Sequence, residues 1–191
     1  EKGVPFRDEW CWDDYQPLPT ADLDPIHEEP AEYDLYGFFF KDIALNFGEG
    51  LSNPWIKEIV FRDPVHTAIL LNSKTMEKKG LVSGDIVKLE SPHGGPIFGR
   101  VSGVETIHPD AIGVSNSLSR MRTENKSVLH AGGHFNDLLP YDLANTDAVT
   151  GQPETGCRVK LTRLDDWPAF LKEAAAGTTV YDEVDHIATG K

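Results

Sequence analysis

At 191 residues and 21.2 kDa the chain has room for one domain of ordinary size with appendages, or for two small ones. With 39% hydrophobic and 26% charged side chains, 17 Gly and 13 Pro, it reads as a folded, turn-rich protein, which excludes a helical bundle and a long disordered polymer. A net charge of −13 excludes a broad nucleic-acid surface and adhesion to an anionic membrane, because both need an extended basic field.

The longest apolar runs, Gly37–Phe40 and Ala68–Leu71, are strand-sized, so no direct membrane insertion is expected, and no signal-peptide pattern opens the chain. The acidity sits at the ends. Residues 1–34 hold 11 acidic and 2 basic side chains and residues 165–191 hold 6 and 2, which leaves the middle neutral and able to host an anionic ligand through local donors.

Residues 1–34 carry prolines at 5, 17, 19, 25 and 30 and no sustained periodicity, which predicts an irregular acidic arm. Its Trp10, Trp12 and Tyr15 have little use in a free tail; the arm either packs on its own chain or a neighbour, or is locally mobile. Tyr33–Phe40 reads as a buried strand and His66–Leu71 as another. Asn72 can cap a two-turn helix over Ser73–Lys79 that Gly80 stops and Met76 holds by packing. Ile86–Glu90 alternates, with Val87 and Leu89 on one face; 91–96 is a turn, Ile97–Val104 returns as a strand, 108–110 turns again and Ala111–Ser115 follows. A long passage, 116–156, rich in Gly and Asn, precedes a last strand over Arg158–Arg163. Short strands without crossover helices of ten or more residues predict a small closed barrel rather than a doubly wound sheet. A helix capped by Asp166 is expected near 167–176, outside the barrel, as a docking element.

The familiar catalytic signatures are missing: no Gly-x-Ser-x-Gly, no phosphate-binding Gly-x-x-x-x-Gly-Lys-Ser/Thr, no His-Glu-x-x-His and no Cys-x-x-Cys. Cys11 and Cys157 lack metal-site spacing, and two reduced thiols are expected in preference to a disulfide. The close pair His130 and His134 is split by Gly132-Gly133, which disfavours a metal-binding helix and fits either a tight loop whose amides approach a ligand or a plain turn. Asn136-Asp137 and the run Asn145–Glu154 gather short amides and carboxylates, which bind heterocycle edges as readily as their own backbone.

Four segments in order carry a resemblance: Asn53-Pro-Trp-Ile-Lys-Glu58, Leu71 through Gly94 with its Gly-Leu-Val-Ser-Gly-Asp core, Phe135-Asn-Asp137, and Asp147-Ala-Val-Thr-Gly-Gln-Pro153. Over about 33–163 the chain resembles the C-terminal cofactor-binding domain of the molybdopterin oxidoreductases related to dimethyl sulfoxide reductase. The family's usual Asn-Pro-x-Asp-Ala is Asn72-Ser-Lys-Thr-Met here, and its Asp-Pro-x-Ser-Gly is Asp147-Ala-Val-Thr-Gly. The resemblance implies a mainly β fold, a six-stranded double-psi β-barrel with short helices (the aspartate decarboxylase-like barrel), over 35–163, between the arm 1–34 and a C-terminal helix and tail over 164–191. It further implies molybdopterin guanine dinucleotide with molybdenum or tungsten in the complete enzyme, held by Lys41, Asn46 and Phe47 in a first loop with Asn53, by Asn72 at the short helix, by His134 and Asn136 beside the pterin, and by Asp147, Gln152 and Pro153 in a last loop.

No catalytic residue and no metal ligand is assigned to the chain, which alone is expected to be inactive. Partners implied are the remaining domains of a catalytic subunit and an iron–sulfur electron-transfer subunit. The compartment stays open between cytoplasm and periplasm, with membrane association only through partner subunits. The competing reading is a separate small barrel subunit that acts as a protein-binding module. A self-contained hydrolase or decarboxylase lacks a nucleophile with a neighbouring base.

Overall fold

The computed structural model describes residues 17–18, 29–45, 50, 53–115, 133–140, 142, 145–147 and 150–176. Six strands, β1 (Leu35–Phe40), β2 (Ile69–Asn72), β3 (Ile86–Glu90), β4 (Ile97–Val104), β5 (Ala111–Ser115) and β6 (Cys157–Leu164), close into a barrel in the order β1-β5-β2-β4-β3-β6. Two neighbouring pairs, β1–β5 and β2–β4, are parallel and the other four antiparallel. This closed, mixed, six-stranded barrel with short helices is the fold class expected from the sequence.

Alternation fills the barrel. Leu35, Val87, Leu89, Ile97, Val101, Ile112, Val114 and Val159 point inward and are buried in one cluster. β2 has no polar face because both of its faces are covered: Ile69 and Leu71 join the barrel interior, while Leu70 packs outside with Ala68 and Ile107. Strand directions follow from the pairings: β1, β3 and β5 finish at one end of the barrel, where β2, β4 and β6 begin. Phe135, Leu138 and Leu139, from the long connection between β5 and β6, join the interior cluster at that end; Met76 and Leu81 join it from the segment that follows β2 at the other.

Two expected strand starts are corrected: the strand read over Tyr33–Phe40 begins only at Leu35, and the one read from His66 begins later as well. His66 lies in a short helix, α2 (Pro64–Thr67), and the strand starts only at Ile69. The local reason is Asp63, whose Oδ1 accepts from Val65 N at 3.0 Å and whose carbonyl accepts from His66 N at 3.1 Å, ahead of a proline that presets a helical φ. The stretch from Asn53 forms a further helix, α1 (Pro54–Arg62), started by Asn53 Oδ1 accepting from Trp55 N at 3.0 Å. At α3 (Ser73–Lys78) the local signals hold: it is capped by Asn72 and ended by Gly80 at φ 67°, a left-handed conformation that favours glycine. The last helix, α4 (Ala169–Ala176), lies against the outer face of β4, with Phe170 edge-on to Phe98 at 5.7 Å and Arg100 over the Trp167 ring at 5.5 Å.

Candidate functional site

Three connections leave the barrel at the end where β1, β3 and β5 finish: the segment from Lys41 to α1, the turn 91–96, and the long passage from β5 to β6. Lys41, Asn53, His134, Asn136, Asp147, Gln152 and Pro153 all belong to the first and third of these, so chain topology gathers them at one end from positions up to 112 residues apart in sequence. Asn72 does not join them. It closes β2 at the opposite end, buried, with its Oδ1 accepting from Lys74 N at 3.0 Å and its Nδ2 donating to the Ile107 carbonyl at 2.7 Å. Asn46 and Phe47 lie outside the described residues.

The described part of the third connection includes a 3-10 turn, Phe135–Leu138. Phe135 is fully buried and meets Phe39 of β1 at 5.8 Å between ring centroids. Ser91 Oγ donates to the Leu138 carbonyl at 2.5 Å, and a Cβ on Gly94 would fall onto the Asp137 carbonyl oxygen, so the turn 91–96 and the 3-10 turn are in direct contact and position 94 requires glycine. This packing fixes His134 at the head of the 3-10 turn while Asn136 and Asp137 stay exposed.

His134 Nδ1 is buried and has no hydrogen-bond partner among the described residues. An imidazole nitrogen left so costs about 1–3 kcal/mol, which a ligand group of matching polarity would recover. The loop before β6 is folded on itself: Asp147 Oδ1 accepts from Thr150 N at 2.6 Å and Thr150 Oγ1 at 2.8 Å, Asp147 N donates to the Gln152 carbonyl at 2.9 Å, and Thr146 bridges to Pro153. Gln152 is exposed, its amide donating only weakly to the Pro153 carbonyl at 3.3 Å. The chemistry available here is therefore amide and carboxylate edges plus one unpartnered imidazole nitrogen, a donor and acceptor set that suits a planar heterocycle.

The same end carries groups that sequence spacing did not reveal. Asp42, whose side chain is 3% exposed, takes His66 Nδ1 at 2.6 Å on one oxygen and Ala44 N at 2.7 Å on the other. The other ring nitrogen, Nε2, lies 3.9 Å from Asp63 Oδ2. Glu29, from the end of the arm, meets His93 Nε2 at 2.5 Å. Asp42 and His66 are 24 residues apart and Glu29 and His93 are 64 apart, and no local pattern links either pair.

Cys157, the first residue of β6, is a free, buried thiol. Burial first, then the charges of Glu29 and Glu154, push its pKa up to about 12, so it is neither a nucleophile nor a metal-binding thiolate at neutral pH. Among the described residues no group of three His, Cys, Asp or Glu side chains is placed to hold a metal ion, and no helix is long and apolar enough to cross a membrane.

No family model matches the sequence, and no curated protein matches it. Among solved structures the chain is similar to acetylene hydratase from Pelobacter acetylenicus, with a TM-score of 0.64 and 20% identity over 80% of this chain and 22% of that one. At that identity the likeness is one of fold. The chain spans about a fifth of the length of that neighbour.

Proposed function

We propose that the chain is the cofactor-binding C-terminal domain of a molybdenum or tungsten oxidoreductase that uses bis(molybdopterin guanine dinucleotide). The observation that carries this reading is the placement of the described motif-matched residues other than Asn72 on connections at one end of the barrel, with His134 Nδ1, buried and without a partner among the described residues, in their midst. The sequence resemblance over about 33–163 and a fold shared with a fifth of acetylene hydratase support it. His134 and Asn136 would take the pterin, Asp147, Gln152 and Pro153 the guanine end, and Lys41 with Asn53 the first loop; Asn72 is fully used in capping and in its bond to Ile107. When bound, the cofactor supplies two-electron redox chemistry at its metal, while this chain's residues bind and orient it. The metal ligand and the substrate pocket belong to the rest of the enzyme.

Titration of the 191-residue chain with GDP, a probe for the nucleotide end, tests the reading. Chemical-shift changes should concentrate at 134–137 and 147–153. Changes confined to the Asn72 end, or none at millimolar GDP, overturn it. The chain alone should show no turnover with an artificial electron donor and a panel of oxyanions; turnover proportional to protein would refute the assignment of the redox chemistry to other domains.

A second reading, a protein-binding barrel subunit, is favoured by one observation. Ile43, Trp55, Ile59 and Val65 are all exposed, Trp55 by 78% and Ile43 fully, within the segment that follows β1. Absence of GDP binding together with capture of a defined protein through Trp55 would favour it.

A further inference from the structure

The end of the acidic arm is built into the loop end of the barrel. Glu29 lies six residues before β1, and its side chain is only 10% exposed. Both carboxylate oxygens are engaged: Oε1 with His93 Nε2 at 2.5 Å, and Oε2 accepting from the backbone N–H of Arg158 at 3.0 Å.

The second bond has a particular meaning for the sheet. β3 and β6 pair from Ile86↔Leu164 to Glu90↔Lys160, and Arg158 lies two residues past the last of these pairs, where β3 has already turned away. The Glu29 carboxylate thus serves as the acceptor that β3 no longer offers. By holding His93 with its other oxygen, the same group also fixes the turn into which β3 leaves.

From these two anchors the contacts run to both ligand-bearing parts of the long connection. The turn 91–96 meets the 3-10 turn through Ser91 and Gly94, and so reaches His134 and Asn136. From Arg158 the backbone runs back through Cys157 to Pro153 and Gln152. Glu29 itself cannot swing freely, because the residues after it are tied down. Arg158 Nε donates to the Tyr33 carbonyl at 2.8 Å, Lys160 meets Glu32 at 2.8 Å and Lys79 meets Asp34 at 2.5 Å.

We propose that Glu29 is a positioning residue that sets the 3-10 turn and the Gln152–Pro153 segment relative to one another. Its consequence for ligand binding rests on the function proposed above, whereas the coupling of the two segments does not.

Amide hydrogen exchange on the full 191-residue chain tests the coupling, with Glu29→Ala, Glu29→Gln and His93→Gln as variants. Glu29→Ala should raise exchange about tenfold or more at Arg158 and across 134–138, and leave β2 and β4 unchanged. In Glu29→Gln the amide oxygen still accepts from Arg158, so protection there is kept while 134–138 loosens, and His93→Gln should give the same pattern. This rescue at Arg158 by the isosteric variant is an effect that general destabilisation does not produce. Unchanged exchange over 134–138 in the folded variants, or faster exchange throughout including β2 and β4, overturns the proposal. If Glu29→Ala fails to fold, the other two variants decide it by the same criteria.

GDP binding separates the two readings. If the unaltered chain does not bind GDP, the cofactor assignment fails, and the exchange pattern still decides the coupling. If it binds, Glu29→Gln and His93→Gln should weaken GDP about fivefold or more, and unchanged affinity removes the role of Glu29 in ligand placement.

Discussion

Where β2 and β4 finish, the described polar side chains that are buried serve the chain itself. Asn72 caps α3 and bonds to Ile107, and Thr75 Oγ1 donates to the Pro109 carbonyl at 2.5 Å. Where β1, β3 and β5 finish, the chain is held from outside the barrel strands, by Glu29 on Arg158 and His93 and by Asp42 on His66, and a buried imidazole nitrogen has no partner among the described residues. Both ends use bonds between residues far apart in sequence, but among the described residues only the second retains a buried polar atom without a partner, a group suited to a ligand. Binding ends of a barrel are expected to be of the second kind, since a site whose polar groups were all bonded internally would have nothing to offer.

The comparison is broken most severely at Phe135, whose fully buried ring closes the loop end. Phe135→Ala should cost about 3–5 kcal/mol in urea denaturation. A cost below about 1 kcal/mol would mean that the 3-10 turn is not part of the core and does not position His134. Next in size, Asn72→Ala removes a cap and a buried bond and should cost about 1–3 kcal/mol without altering GDP binding, whereas exposed Asn136→Ala should change stability by less than about 0.5 kcal/mol and weaken GDP. The reverse pattern would exchange the roles of the two ends.

Cys157 sharpens the contrast through pH. Its folded pKa of about 12 lies above the model-compound value of 9.0, so below pH 9 the thiol is protonated in both states and stability does not depend on it. Between 9 and 12 the unfolded chain loses the proton and the folded chain keeps it, so stability falls as pH rises, by at most about 1.4 kcal/mol per pH unit. Cys157→Ala should flatten that part of the profile; an unchanged slope would show that the thiol is not shielded. The smallest effect is expected on the surface of α1. Glu58 and Arg62 form an exposed i,i+4 pair at 2.5 Å, and Arg62→Ala should shift stability by only about 0.3–0.5 kcal/mol.

Much of the barrel was legible because its signals are local. Alternation marked Ile86–Glu90, the turns at 91–96 and 108–110 delimited Ile97–Val104 and Ala111–Ser115 at the bounds the structure has, and Asn72 with Gly80 marked α3 from cap to stop. The strand misread furthest at its start, His66–Leu71, failed because an apolar run does not say whether Pro64 and Asp63 begin a helix before it. In the candidate site, the resemblance pointed to Asn136, Asp147 and Gln152, but residue types alone left each open between a turn and a ligand contact.

The sequence by itself determined that Ile86–Glu90 alternates, that Asn72 and Gly80 bound a short helix, and that the middle of the chain is neutral between acidic ends, because none of these depends on how the chain folds in space. Tertiary structure alone decided that Asn72 lies at the far end from the other described candidates, that His134 Nδ1 is buried without a partner among the described residues, and that Glu29, 129 residues before Arg158, supplies the acceptor β3 no longer offers. Closing a barrel brings strand ends together in an order unrelated to their order in the chain, and the energy of a buried polar group depends on what that closure places beside it.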